Sequence, residues 1–155
     1  MRVLHLISSA GWHGAENVLV NLAAASRSPG CDAAAGVLCD ARNPHTEVAE
    51  HAQARGVPAE IAHCHGRLDL RTSGKLRRWL VRTSVEVVHT HGYKSGSYAA
   101  GALRGRSTGW ITTCYNGTDR TRNPADEQGV CRQSVLPGRS NAYAAPGSVR
   151  GKPQS

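Results

Sequence analysis

Short β-branched runs alternate with longer runs of helical period from Arg2 to about Thr121, and a chain patterned this way builds a parallel sheet with helices on both faces. The run RVLHLIS at 2–8 predicts a first strand. Ala15, Val18, Leu19, Leu22 and Ala23 then recur at helical spacing and put one apolar stripe on a helix over 15–25. A second strand is expected over 33–39. Asn43 is read as the cap of a second helix with Pro44 in its first position, closed by Arg55-Gly56. A third strand over 57–62, a basic helix over 71–83 with Leu76, Trp79 and Leu80 inward, a fourth strand over 85–90, a short helix over 95–103 and a fifth strand over 110–114 complete the series. Connections of this length make the strands parallel and the crossovers right-handed. The expected fold class is therefore α/β, a Rossmann-like parallel sheet with flanking helices.

After about Thr121 the pattern stops. Residues 122–155 carry four of the seven prolines and four glycines, and their apolar residues define no face. Ordering such a segment costs about 1–2 kcal/mol per residue in backbone entropy with little apolar burial to offset it. The expected organisation is one domain over 1–121 and a disordered or aberrant tail over 122–155.

Composition narrows the class of function. No run approaches the roughly 18–20 apolar residues of a membrane-spanning helix. The apolar stretch from Val3 to Ile7, interrupted by His5, is too short for a secretory leader, which argues for a cytoplasmic protein. The five cysteines are odd in number and contain no C-x-x-C pair, so they read as reduced thiols rather than as a disulfide framework or a zinc ribbon. Nineteen basic and eleven acidic side chains leave +8, and Arg71, Lys75, Arg77, Arg78 and Arg82 form the dense cluster. Without stacking aromatics or a reading module the cluster predicts a solvated helix face, and no nucleic-acid partner is expected.

Three constellations could carry chemistry, each where a strand ends. Ser8 to Glu16 is a glycine-bearing loop opening onto a helix, where free N–H groups and the positive end of the dipole favour an anion such as a phosphate. Gly11 lets that loop turn and Gly14 permits close approach, or both merely serve a tight strand-to-helix turn. The third glycine of the dinucleotide fingerprint is missing, and Asp40 alone would suit a ribose contact. His89-Thr90-His91-Gly92-Tyr93-Lys94 follows the fourth strand, with His89 and His91 on one side. Thr113-Cys114-Tyr115-Asn116-Gly117-Thr118 follows the fifth. His63-Cys64-His65 adds soft ligands, but with no H-E-x-x-H or paired-cysteine spacing no metal is expected.

In order and position these pieces resemble the N-terminal domain of family 4 glycosyltransferases. The likeness runs from M-R-V-L-H-L-I-S-S through G-x-x-G-A-E at 11–16, G-V-L-C-D at 36–40 and R-N-P-H-T-E at 42–47 to V-V-H-T-H-G-Y-K-S at 87–95, and covers about residues 1–121. The resemblance implies one half of a two-domain GT-B fold. It implies transfer from a nucleotide-sugar donor to a sugar or lipid-linked acceptor, without metal or other cofactor, with room for peripheral membrane contact. It also nominates Gly11, Gly14, Glu16, His91, Lys94 and Tyr115 as substrate-binding residues.

Two departures qualify the resemblance. Relatives commonly carry a histidine where Tyr115 stands, and a phenol with a pKa near 10 cannot carry protons near neutrality as an imidazole does. The catalytic residue is therefore left unassigned. The second, donor-binding domain of such enzymes has no counterpart in these residues. The expectation is an apparently truncated acceptor-side half, inactive alone, with the tail from about Arg122 read in a shifted frame and a partner chain able to supply the donor domain. A sugar-nucleotide epimerase fragment and a non-catalytic anion- or sugar-binding module are the alternatives; turnover by the lone chain would favour an enzyme, and acceptor binding without turnover the module.

Overall fold

A computed structural model describes residues 1–65 and 69–115, together with the backbone of 133–135. In chain order the elements are β1 (Arg2–Ser8), α1 (Gly14–Ala25), β2 (Asp32–Asp40), α2 (Glu47–Ala54), β3 (Ala59–Cys64), α3 (Leu70–Arg82), β4 (Val87–His91), α4 (Tyr93–Leu103), β5 (Gly109–Thr113) and β6 (Gln133–Val135). The sheet order is β3-β2-β1-β4-β5-β6, with the first five strands parallel. The chain thus builds outward from β1 to β3 and returns through α3 to lay β4 on the other side of β1. This is the Rossmann-like α/β arrangement that the alternating pattern predicts.

Strand parity separates two apolar layers. Leu4, Leu6, Leu38 and Val88 pack against Leu76 and Leu80 of α3 and Tyr98, Ala99 and Ala102 of α4. Ile7, Ala35, Val37 and Cys39 face the other way, against Leu19, Val20 and Ala23 of α1 and Val48, Ala49 and Ala52 of α2. The basic residues of α3 are exposed, as a solvated face requires. Asp69 caps that helix by accepting from the Arg71 N–H at 2.9 Å.

Several boundaries differ from the sequence expectation, each for a local reason. Asn43 does not cap α2: Asp40 accepts from the Arg42 N–H and bridges to Asn43 in a turn, so the helix begins at Glu47, with the Thr46 carbonyl accepting from Ala49 and Glu50. The third and fourth strands each start two residues later than expected. Val57 and Val85, which read as strand residues, instead close the preceding helices by donating to Ala52 and Leu80 across a left-handed residue. That residue is Gly56 (φ 71°) in one case and Ser84 (φ 51°) in the other.

Ser84 therefore occupies a conformation that costs a side chain and suits glycine. Ser84→Gly is expected to stabilise the chain by about 0.5–1 kcal/mol, read as a higher urea midpoint. An unchanged or lower midpoint would refute this account of the turn.

Beyond the five expected strands there is a sixth. Gln133–Val135, inside the segment expected to be a disordered tail, pairs antiparallel with β5 through Ile111↔Val135 and Thr113↔Gln133. Three residues are too few to show a period, but their backbone covers the unpaired groups of an edge strand. The rest of the expected tail lies outside the described residues, as do Asn116, Gly117 and Thr118. Among the described residues no helix is long and apolar enough to cross a membrane.

Candidate functional site

The order β2-β1-β4-β5 creates a switch point between β1 and β4: the connection from β1 leads to one side of the sheet and that from β4 to the other. Open α/β sheets bind ligands in the crevice at such a point, outside the carboxyl ends of the strands. Ile7 is in register with His91, so the loops after β1 and β4 leave the sheet side by side.

The loop after β1 is held by its own side chains. Ser9 donates its hydroxyl to the Gly11 carbonyl at 2.8 Å and accepts from the Gly11 N–H at 3.2 Å. Gly11 has φ 142°, and a Cβ there would come 3.1 Å from the His13 ring. Trp12 stacks on His51 of α2 with ring centroids 3.9 Å apart, which fixes the loop to its neighbour. His13 precedes α1 and supplies no side-chain cap, so the first N–H groups of that helix have no capping partner in the loop. A Cβ on Gly14 would meet nothing within 4 Å, which leaves open space before those groups.

The loop after β4 repeats this arrangement. Gly92, with φ 87°, precedes α4 and no side chain caps it, while the Ser95 hydroxyl turns back to the His91 and Gly92 carbonyls at 2.6 and 2.9 Å. The Gly92 N–H donates to the Thr113 carbonyl at 2.8 Å, which ties this loop to the end of β5. Two helix N-termini without side-chain caps, from α1 and α4, thus flank the switch point. Lys94 lies in the first turn of α4. Burial pushes the Cys39 thiol up, and the Lys94 ammonium acts on it in the opposite sense, so this cation stands within electrostatic reach of the end of β2.

Gly11, Gly14, Glu16, His91, Lys94 and Tyr115 therefore all lie at the carboxyl edge of the sheet. Two of them differ from simple surface ligands. Glu16 is buried with its carboxylate 3.5 Å from the Ser9 hydroxyl, where it braces the loop. Tyr115 bonds His91, with 2.8 Å between the phenol oxygen and Nδ1. Asp40 is used by its own turn, and His63 and His65 are exposed.

Sequence reasoning missed His5. It sits mid-strand in β1, in register with His89, and is 2 % exposed. Its ring lies 5.2 Å from that of His89 and 5.8 Å from that of His91, with His89 and His91 4.3 Å apart. Burial above all, with the neighbouring imidazoles adding to it, lowers His5 to about 4 and His91 to about 3, and burial also lowers His89. The three rings are therefore neutral at pH 7. Their ligating nitrogens all lie within 4.8 Å of one another, a set that could hold a metal ion. The available signal was parity: His5 shares with Ile7 the face on which His89 and His91 fall once β1 and β4 are neighbours.

A family model described as glycosyl transferase 4-like domain matches residues 13–147, most of the chain. The chain belongs to this family. In this glycosyl transferase 4-like domain the matched region begins at His13, after β1 and Gly11, and includes both switch-point helices and β6. Among solved structures, the UDP-GlcNAc 2-epimerase from Neisseria meningitidis bound to UDP-GlcNAc is similar at a TM-score of 0.50 and 11% identity, over 72% of this chain and 32% of that one. The likeness is one of fold, and the chain spans about a third of the epimerase's length. No curated protein sequence matches the domain.

Proposed function

We propose that this domain is the acceptor-side half of a nucleotide-sugar-dependent glycosyltransferase. The observation that carries the reading is the pair of helix N-termini flanking the β1–β4 crevice, both without side-chain caps, with Lys94 beside them. Such a crevice presents backbone N–H groups and a cation to an anionic group, as a donor's phosphates require. The Tyr115 phenol can donate to or accept from a sugar hydroxyl, while its high pKa keeps it from carrying a proton near neutrality.

Magnitudes decide how much these residues do alone. One helix N-terminus contributes about 0.3–1 kcal/mol to anion binding and at best ~2, so two give at most about 4. Micromolar affinity needs about 8. The remainder must come from a second, donor-binding body, supplied in the same protein or by a partner chain.

The test is nuclear magnetic resonance of the 155-residue chain titrated with uridine and guanosine diphosphate sugars, alongside a turnover assay. The expected result is millimolar binding that shifts the amides of Gly14, Ala15, Tyr93 and Lys94, weakened by Lys94→Ala, with no sugar transfer. Robust turnover by these residues alone, or shifts confined to another face, would overturn the reading.

A further inference from the structure

Beyond sugar transfer, one group of side chains lacks an explanation. His5 Nδ1, His5 Nε2 and His91 Nε2 are buried with no hydrogen-bond partner. Leaving a buried donor or acceptor unpaired costs about 1–3 kcal/mol, and three of the four such side-chain atoms among the described residues belong to two imidazoles, His5 and His91, that face each other and His89; the fourth is Glu47 Oε2. We propose that His5, His89 and His91 bind one borderline divalent cation of the Zn²⁺ type, with a fourth coordination position open to water or a substrate oxygen.

Ligand type, count and support all fit. Imidazole nitrogens suit Zn²⁺, and three histidines with an open position form a recurrent site for it. His89 Nε2 lies 2.8 Å from the Thr113 hydroxyl and His91 Nδ1 2.8 Å from the Tyr115 hydroxyl. Each of these rings is thus oriented through one nitrogen and leaves the other for the cation, the usual role of residues behind metal ligands. Tetrahedral Zn–N bonds of about 2.0–2.1 Å set the nitrogens ~3.4 Å apart. One nitrogen from each ring already lies within 4.8 Å of the others, so that set would have to close by no more than about 1.4 Å around an ion. His89, only half-buried, marks the side from which an ion would enter.

The competing set His63-Cys64-His65 has the wrong parity. Cys64 points into the layer under α3 and α4, while its two neighbours are exposed. A cation held instead by β1 and β4 would pin the strands on either side of the switch point.

The test uses the full 155-residue chain stripped with a chelator and then titrated with Zn²⁺ against a chromogenic competitor, with Co²⁺ absorption as a reporter of nitrogen ligation. The expected result is one equivalent bound, with the thermal midpoint raised and tetrahedral Co²⁺ bands present. His91→Ala should abolish tight binding, and the paired change His63→Ala with His65→Ala should leave it intact. Since a strand-interior change can compromise folding, Thr113→Val and Tyr115→Phe provide the second arm; each leaves a ligand in place and should weaken Zn²⁺ by about 10–100-fold. Absence of stoichiometric binding, or binding unaffected by both His91→Ala and Thr113→Val, would overturn the proposal. Neither readout involves a sugar, so its failure and that of the glycosyltransferase reading are separable.

Discussion

With a chelator present, lowering the pH from 7 to about 4 is expected to remove most of the chain's stability. His5 titrates at about 4 and His91 at about 3 in the folded protein, against an ordinary value of 6.5 once unfolded. Below pH 6.5 the unfolded chain takes up protons that the folded chain refuses. Stability is therefore fully present above 6.5 and is lost as the pH falls toward the folded values. Each group removes about 1.4 kcal/mol per pH unit, so two groups over roughly two units remove ~5 kcal/mol, near the lower end of a small domain's whole stability. His89, lowered in the same direction, adds to the loss. The carboxyls of Glu47 and Asp69 are also held low, by hydrogen bonds, but they act only below their ordinary range near 4. Urea midpoints followed by circular dichroism at pH 7.5, 6.5, 5.5 and 4.5 should fall steeply across the lower three. His91→Asn should flatten that slope. A wild-type midpoint constant down to pH 4.5, or an equal slope in the variant, would show that the buried imidazoles do not control it.

Those imidazoles also mark the limit of what the sequence disclosed. Strand and helix periods gave the element order, but the stripe expected at 15, 18, 19, 22 and 23 located α1 without giving its inward face: Val18 and Leu22 are exposed, and Glu16 and Val20 are buried beside Leu19 and Ala23. Strand starts were misplaced where a β-branched residue follows a left-handed helix stop, since Val57 and Val85 look the same whether they begin a strand or end a turn. The pairing of His89 with His91 was legible from alternation along one strand. That His5 joins them was not, because parity within β1 says nothing until the order of strands places β1 beside β4. The switch-point loops were legible from their glycines, whereas the lack of side-chain caps at both helices is a property of geometry: His13 and Gly92 stand where Ser, Thr, Asp or Asn would close the N-terminus.

A second large effect comes from a strand glycine whose packing no sequence pattern discloses. Gly36 lies in β2 in register with Leu6, buried beneath α3. A Cβ there would stand 2.8 Å from Trp79 Cζ3 and 2.9 Å from Leu6 Cδ1, closer than packed carbons approach. Leu6 is wholly buried and has no room to retreat, whereas Trp79 is half-buried and can swing toward the groove it lines with Glu60 and Arg82. Gly36→Ala should gain about 0.5–1 kcal/mol from the loss of glycine's unfolded-state freedom and lose more through overpacking, about 1–3 kcal/mol. The net result is a destabilisation of about 1–2 kcal/mol, read as a lower urea midpoint. Trp79→Leu removes the ring that must move, so adding Gly36→Ala to that variant should cost less than ~0.5 kcal/mol or stabilise it, a coupling of the size seen for residues in contact. If Leu6 were the true obstacle the penalty would persist in the Trp79→Leu background. If Gly36→Ala were neutral in the wild-type chain, the close packing of α3 on β2 would not have the effect assigned to it.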